Sequence, residues 1–227
     1  MTEDLYVLQE FYKAITNNKI ELFERIASER TRHLTAVIED VYQEHNASAV
    51  IRTCECLGIQ DIHVLEKRNK YAVNRDIALG AANWIDLHQY YKNKNPLHAC
   101  IQTLKNKNYR IVATSPYARK ELSDLDIQQP MAIFFGTEQD GLSKEIITHS
   151  DEQIKIPMVG FTESYNLSVS VSMVLFYLRN QLENSKYSWK LSREDQTKLK
   201  IQWCTKLLHG GQFMESEFRK RFLEKEF

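Results

Sequence analysis

The stretch that decides the fold is residues 34–65, LTAVIEDVYQEHNASAVIRTCECLGIQDIHVL. Residues 34–38 and 61–65 are short apolar runs rich in β-forming residues, so each predicts a strand. Between them, apolar residues recur at helical spacing, from a candidate N-cap at Asn46 to a candidate helix end at Gly58. A strand, a helix and a second strand normally build a parallel sheet with helices on its faces. The sequence therefore predicts an α/β fold.

The same alternation continues downstream. We predict further strands at residues 109–114, 131–135 and 153–157, a helix at 95–104, and a long buried helix from Asn166. Residues 5–28 predict two short helices broken at Asn17 and Asn18, and residues 191–208 predict another before Gly210 and Gly211. We therefore expect a main domain at residues 33–185, between an N-terminal helical extension (1–32) and a C-terminal one (186–227).

The composition is that of an ordinary globular protein. Of 227 residues, 43% are hydrophobic and 26% are charged, and the formal net charge is zero. This excludes disordered and collagen-like classes, as well as a protein that coats nucleic acid non-specifically. No apolar run approaches the roughly 20 residues of a membrane span, and the acidic start lacks the order of a signal peptide. We expect a cytoplasmic protein with no membrane partner.

The cysteines and the basic residues give weaker indications. Cys54, Cys56, Cys100 and Cys204 lack the paired spacing of zinc ligands, so we expect reduced core residues and no metal site. Lysines and arginines gather at residues 67–75, 105–110 and 219–221. Such clusters are usually solvated surface, and each is only a candidate RNA contact.

Common nucleotide-binding loops are missing. Neither the three-glycine fingerprint of dinucleotide folds nor a phosphate loop ending in Gly-Lys-Ser/Thr is present, which disfavours a nicotinamide-dependent oxidoreductase. What remains is three polar segments, each at the carboxyl end of a predicted strand, where open α/β sheets bind ligands. They are His45-Asn46, residues 136–143 and residues 157–166.

These three segments carry a specific resemblance. Residues 45–53, HNASAVIRT, resemble the first motif of SPOUT-class RNA ribose 2′-O-methyltransferases, whose core is Asn, then Ala, then Arg-Thr. Residues 136–143, GTEQDGLS, resemble the second motif, and IPMVG at 156–160 with SYNLSVS at 164–170 resembles the third. The three occur in the family's order. The segment LTAVIE at 34–39 and the helical extensions resemble the TrmH branch, which modifies guanosine 18 of tRNA.

The resemblance implies a deep C-terminal trefoil knot, an exception to the rule that chains do not thread through loops. It also implies that S-adenosylmethionine is held by the motif loops and by a residue at the end of a strand. The implied cofactor contacts are Thr114, Gly136, Ile156, Met158, Tyr165 and Leu167. Tyr165 departs from the family, which commonly has leucine at this position, so the wall of the pocket is expected to differ there.

The resemblance also implies four catalytic residues, which are Asn46, Arg52, Glu138 and Asn166. In the family the arginine that Arg52 matches is often given the role of general base, but an ordinary guanidinium has a pKa far above neutrality, and deprotonating it at pH 7 costs about 9 kcal/mol. We expect Arg52 to clamp a phosphate while the proton passes to a phosphate oxygen or to water. We expect Glu138 to hold the motif loops, or Asn46 and Arg52, in place; the alternative is direct contact with the methionyl ammonium of the cofactor. We expect Asn166 to cap its helix, to face the substrate, or both.

The resemblance further implies a homodimer whose two subunits complete the RNA site. Two alternatives stay open from the sequence. One is a methyltransferase of the same class that acts on ribosomal RNA, although the first thirty residues are too short for the RNA-binding domain of such branches. The other is a non-catalytic knotted RNA-binding factor, against which the intact motif residues argue.

Overall fold

The computed structural model describes residues 1–41, 43–66, 80–91 and 95–225. Within them the helices are α1 (Glu3–Tyr12), α2 (Asn17–Ser28), α3 (Glu44–Cys56), α4 (Pro96–Asn106), α5 (Lys144–His149), α6 (Leu167–Glu183), α7 (Arg193–Leu207) and α8 (Gly211–Lys225). The strands are β1 (Leu34–Glu39), β2 (Asp61–Leu65), β3 (Asp86–Gln89), β4 (Arg110–Thr114), β5 (Lys120–Glu121), β6 (Met131–Phe135) and β7 (Glu152–Lys155). Two short 3-10 helices, Ala81–Asn83 and Leu122–Asp124, complete the described elements.

The strands form one sheet in the order β3-β2-β1-β6-β4-β7-β5, and every strand pair is parallel. In the centre, Ala36 of β1 pairs with Ile62 of β2 on one side and with Ile133 of β6 on the other. The predicted parallel α/β fold is confirmed. Because all strands run in one direction, the loops after β1, β4, β6 and β7 leave the sheet at the same edge, which we call the carboxyl edge.

Helices cover both faces of the sheet, as predicted. On one face, apolar residues of α3 and α6, such as Val50, Ile51 and Leu175, join the inward side chains of β1 and β6 in one buried core. On the other face, Leu97, Ile101 and Leu104 of α4 and Ile146 of α5 pack against Val37, Ala113 and Phe134. Strands buried on both sides read as continuous apolar runs, which is why the sequence revealed them.

Several predicted boundaries were wrong. Asn17 does not end a helix but begins α2, because the Thr16 hydroxyl caps that helix by accepting from the Lys19 N–H. Asn46 is not the N-cap of α3, which begins at Glu44 after Gln43. The predicted helix end at Gly58 is confirmed, since Gly58 follows α3 and its cap with a φ of 72°, the left-handed conformation that favours glycine. Three elements, β3, β5 and α5, were not predicted, because they are short and mostly polar.

The chain divides into two compact units, residues 31–189 and residues 1–30 with 190–227. The second unit joins the two terminal segments: Tyr12 and Lys200 both donate to the Glu24 carboxylate, at 2.6 and 2.7 Å. All ten predicted site residues lie in the first unit. Of the helices in the described ranges, none combines the length and the apolar character that crossing a bilayer requires.

Candidate active site

Three predicted catalytic residues from distant parts of the chain meet at the carboxyl edge. Asn46 lies in the first turn of α3 and is buried, Glu138 projects from the loop after β6, and Asn166 immediately precedes α6. The Asn46 Nδ2 donates to Glu138 Oε1 at 2.6 Å, and the Asn166 Nδ2 donates to the same oxygen at 3.0 Å. The Asn166 Nδ2 also donates to Asn46 Oδ1 at 3.1 Å. One residue from each motif therefore enters a single hydrogen-bonded cluster.

Glu138 is the centre of this cluster. Besides the two asparagine amides, its Oε1 accepts a hydrogen bond from the Leu167 backbone N–H at 3.2 Å. That N–H is among the first of α6, where the unpaired donors and the helix dipole favour a negative charge. The carboxylate thus fixes both asparagines and the start of α6 in one arrangement.

Asn166 serves as a helix cap and as a member of the cluster at once. Its Oδ1 accepts from the Ser168 N–H at 2.9 Å and from the Ser168 hydroxyl at 2.6 Å. Because these donors occupy the amide oxygen, the Nδ2 group is left to face Glu138 and Asn46. Asn166 therefore caps α6 and binds Glu138 at the same time.

Arg52 does not join the cluster. It is exposed on α3, six residues after Asn46, which places it about 120° away around the helix. Its guanidinium makes no hydrogen bond or ion pair with any residue that the structure describes. The neighbouring Thr53 hydroxyl lies 3.1 Å from the Ser172 hydroxyl of α6, so this turn of α3 is held against α6 while Arg52 faces solvent.

The six predicted cofactor residues flank the cluster at the same edge. Thr114 ends β4 and Gly136 follows β6 directly, while the others lie on the segment from β7 into α6. Ile156 and Met158 are half-buried, Leu167 is buried and Tyr165 is 37% exposed. Because β4, β6 and β7 are neighbouring parallel strands, these residues line one region of the carboxyl edge.

The loop from Gly136 to Ser143 is tightly closed. Thr137 and Gly141 exchange two backbone hydrogen bonds, at 3.2 and 3.0 Å. A Cβ atom added to Gly136 would lie 2.1 Å from the Gly141 carbonyl carbon, so only glycine fits there. The end of the loop is held by Glu39, whose Oε2 accepts from the Ser143 N–H at 2.8 Å. This role of Glu39 was not predicted from the sequence, although an acidic residue at the end of an apolar strand is a visible signal.

A buried polar network lies away from this site, near the amino ends of β2 and β3. The Asp61 carboxylate contacts the Arg32 Nε at 2.7 Å and the His88 Nε2 at 2.6 Å. Burial opposes ionisation of Asp61, but the hydrogen bond with His88 and the charge of Arg32 outweigh it and lower its pKa. His63 stacks on His88 with ring centroids 4.5 Å apart, and burial, aided by the His88 charge, lowers the pKa of His63 to about 3. This network joins Arg32, which lies just before β1, to β2 and β3.

The structure describes two of the three basic clusters, each within its own compact unit. The cluster at residues 67–75 lies entirely outside the described residues. Arg110 begins β4, so its cluster lies at the amino edge, and its guanidinium pairs with Glu152 at 3.5 Å. Arg219 is paired with Glu3, Asp4 and Glu215. Across the described ranges, no group of three or more His, Cys, Asp or Glu residues is arranged to hold a metal ion.

Comparisons with known proteins agree on one family. A family model described as the SpoU rRNA Methylase family matches residues 33–176. A tRNA (guanosine(18)-2′-O)-methyltransferase from Borreliella burgdorferi is 43% identical over 205 residues, covering 90% of this chain and 92% of that protein. A Thermus thermophilus protein of the same name is 30% identical over 159 residues, covering 70% and 80% of the two chains.

Among solved structures, the fold is similar to that of the TrmH/SpoU tRNA modifying enzyme of Aquifex aeolicus. The TM-score is 0.74 with 27% sequence identity, and the match covers 85% of this chain and 98% of the other. The match of the family model spans more than half of the chain and contains the Asn46–Glu138–Asn166 cluster. The chain therefore belongs to the SpoU methylase family.

Proposed function

We propose that this protein transfers a methyl group from S-adenosylmethionine to the ribose 2′-hydroxyl of guanosine 18 in tRNA. The observation that carries the proposal is the Asn46–Glu138–Asn166 cluster, in which the three motifs meet at the carboxyl edge of the sheet. The relatives at 43% and 30% identity bear the name of this activity.

The residues at the carboxyl edge suit the methyl donor chemically. Met158 and Tyr165 make no backbone-to-backbone hydrogen bond within the described part of the chain, so their N–H and C=O groups are available to the polar edge of an adenine. Ile156, Met158 and Leu167 offer apolar surface, which ligand pockets use for most of their lining. We place the donor against these residues together with Thr114, Gly136 and Tyr165. When bound, it supplies a methyl group activated by a positively charged sulfur.

Glu138 acts as an orienting group in this proposal. Its Oε1 accepts from Asn46, Asn166 and the Leu167 N–H, so the carboxylate is already engaged by the protein. A carboxylate facing the sulfonium would stabilise the charged donor, whose charge is lost in the transition state, and would slow the transfer. Because Glu138 is held within the cluster, it does not slow the transfer in this way. It also keeps the two asparagine amides in fixed directions.

Arg52 holds the RNA in this proposal. Its exposed guanidinium is open to a phosphate beside the target ribose, which it can grip through two parallel hydrogen bonds. Such a clamp places the 2′-oxygen in line with the methyl group, and the proton passes to a phosphate oxygen or to water. No deprotonated arginine is required.

We also propose a homodimer that is built on α6. Val169, Met173 and Phe176 are 44%, 39% and 64% exposed, and their spacing places them on one side of that helix. An exposed apolar stripe of this kind is typical of a protein interface. The twofold pairing expected for such dimers would set the stripe of one subunit against that of the other.

We propose further that the chain is knotted. α6 follows β7 in sequence, yet it shares a core with α3, β1 and β6, so residues 156–166 cross from β7 back towards the centre of the sheet. The TrmH/SpoU structure of Aquifex aeolicus has a similar fold. Mechanical stretching from the two termini tests this, because a tightened knot leaves the extended chain shorter than its 227 residues allow.

The organisation of the chain follows from this reaction. We propose that residues 33–185 carry catalysis in the cytoplasm, where tRNA is found, and that the extensions at 1–32 and 186–227 contact the folded tRNA. Structured RNA is read largely through its backbone and 2′-hydroxyl groups, so this contact should weaken as salt rises.

The test is methyl transfer from labelled S-adenosylmethionine to two tRNA transcripts. One carries guanosine at position 18, and the other carries 2′-O-methylguanosine there. We expect label to enter only the first. If neither transcript accepts label while the protein binds the cofactor, the tRNA target is refuted, and ribosomal RNA becomes the next substrate to test.

A further inference from the structure

Glu39 is a buried acid beside the candidate site; it lies outside the three motifs, at the end of the segment 34–39 that precedes them. It is the last residue of β1, and it is only 3% exposed. Its Oε2 accepts a hydrogen bond from the Ser143 backbone N–H at 2.8 Å, across 104 positions of sequence. A buried carboxylate is costly unless hydrogen bonds compensate its charge, and charge-assisted bonds of this kind are among the stronger ones.

The sheet register brings Glu39 to the beginning of the same loop. Ile38 of β1 pairs with Phe135 of β6, so the next residues along the two strands are Glu39 and Gly136. Gly136 opens the motif loop and Ser143 closes it. Glu39 therefore stands beside one end of the loop and is hydrogen-bonded to the other.

The loop between these ends has little freedom of its own. The Thr137–Gly141 bridge closes it, and the Asp140 N–H donates to the Thr137 hydroxyl at 3.0 Å. Glu138 projects from this closed loop into the cluster with the two asparagines. A shift at Ser143 would be carried to Glu138, because the Thr137–Gly141 bridge encloses Glu138 and only Leu142 separates that bridge from Ser143.

The backbone after Glu39 holds that side chain in place. Asp40 adopts a φ of 52°, which residues other than glycine rarely do, and its N–H donates to the Leu65 carbonyl at 2.8 Å. Backbone conformations of this kind persist where the surrounding structure holds them, often beside functional sites. The turn at Asp40 therefore holds the backbone at the end of β1, from which the Glu39 side chain projects.

We propose that Glu39 is a positioning residue for the methyl-donor loop, acting through the Ser143 N–H to hold Gly136 and Glu138 where the cofactor requires them. The proposal rests on the proposed function, since it assigns S-adenosylmethionine to this loop. Glu39 itself contacts neither the cofactor nor the RNA.

The experiment compares Glu39→Ala and Glu39→Gln with the unmodified protein by two readouts. The first is hydrogen exchange of the Ser143 amide without ligand, and the second is the Kd of S-adenosylmethionine by calorimetry. Losing a hydrogen bond to a charged group should weaken cofactor binding by at least about tenfold in Glu39→Ala and speed exchange at Ser143. Glu39→Gln retains an acceptor oxygen, so it should keep most of both properties.

Asp151→Ala is the matched control. Asp151 Oδ2 accepts from the Ile111 N–H at 2.8 Å, the same kind of bond at the same length, but at the amino end of β4. This variant should lose stability and leave the cofactor Kd unchanged. Should Glu39→Ala not fold, Glu39→Asp, which withdraws the carboxylate by one methylene, takes its place.

A cofactor Kd in Glu39→Ala equal to that of the unmodified protein overturns the proposal, and so does equal weakening in Glu39→Ala and Glu39→Gln. An unmodified protein that binds no S-adenosylmethionine instead refutes the proposed function. In that case fast exchange at Ser143 in Glu39→Ala still supports the role of Glu39 in ordering the loop, and unchanged exchange overturns it.

Discussion

Asn166 and Asn46 stand 120 positions apart in the chain, and the Asn166 amide nitrogen donates to the Asn46 amide oxygen at 3.1 Å. The contact joins the start of α6 to the first turn of α3, and both amides also bind the Glu138 carboxylate. It shows how two side chains suited to capping or to surface turns become one unit at the carboxyl edge. The contribution of this unit to stability and its contribution to methyl transfer can be measured separately.

Replacing Asn166 should cost activity far beyond its cost in stability. Asn166→Ala removes a helix cap, worth about 1 kcal/mol, and also breaks the bonds to Glu138 and Asn46. Asn95 is a matched control, because its Oδ1 caps α4 by accepting from the His98 N–H at 3.0 Å. Both variants should show a similar loss in urea unfolding, and only Asn166→Ala should lose methyl transfer, by about a hundredfold or more. Equal methyl transfer in the two variants would show that Asn166 acts only as a helix cap.

Arg52→Lys distinguishes a bidentate clamp from a simple positive charge. A lysine keeps the charge but cannot form two parallel bonds to a phosphate, so single-turnover methyl transfer should fall by about tenfold or more. The Kd of S-adenosylmethionine should not change. A nearly full rate in Arg52→Lys would contradict both the clamp and a guanidine base.

Gly136→Ala should damage the loop, whereas Gly160→Ala should not. The new methyl group at position 136 would lie 2.1 Å from the Gly141 carbonyl carbon, which is backbone and cannot move aside cheaply. At position 160, a Cβ meets nothing within 4 Å. Calorimetry should show a cofactor affinity at least about tenfold weaker for the first variant and unaltered for the second. Normal binding by Gly136→Ala would mean that the loop opens easily.

The protein should lose stability as the pH falls below 6.5, and His63 should account for part of that loss. Its pKa is about 3 in the folded protein because of burial and the nearby His88, while the ordinary value is 6.5. Between these values the unfolded chain takes up a proton that the folded chain refuses, so acid favours unfolding by up to about 1.4 kcal/mol per pH unit.

Urea titrations from pH 7 to pH 4 measure this dependence. His63→Gln keeps a polar group near the Tyr90 hydroxyl, which lies 2.9 Å from the His63 Nδ1, but it does not titrate. The slope of unfolding free energy against pH should therefore be shallower in the variant. An unchanged slope would show that other groups carry the dependence.

A charge on the α6 stripe should separate the proposed dimer. Phe176 is 64% exposed on α6, and Phe176→Glu would bury a carboxylate if the stripe is an interface. Light scattering should then give the mass of one chain, 26.7 kDa, for the variant and twice that mass for the unmodified protein. Phe213 is similarly exposed at 70% but lies on α8, so Phe213→Glu should remain dimeric. A dimeric Phe176→Glu would place the interface elsewhere.

The sequence by itself determined the parallel α/β fold and the segments that carry the site. Strands buried on both faces are continuous apolar runs, and α3, α4 and α6 have apolar stripes or capping residues that can be read locally. The same local information failed for β3, β5 and α5, because short polar elements acquire their structure from the neighbours they pair with. It also misassigned Asn46 as a cap, since nothing in its local sequence reveals a carboxylate 92 positions away.

Only the tertiary structure decided how the site is held together. Three parallel strands, β1, β6 and β7, end at one edge, and this brings Asn46, Glu138 and Asn166 within hydrogen-bonding distance. The same packing leaves Arg52 outside the cluster and sets Glu39 beside Gly136, with its carboxylate on Ser143. These are contacts between residues far apart in sequence, so they depend on strand order and register, which hydrophobic periodicity along the chain does not encode.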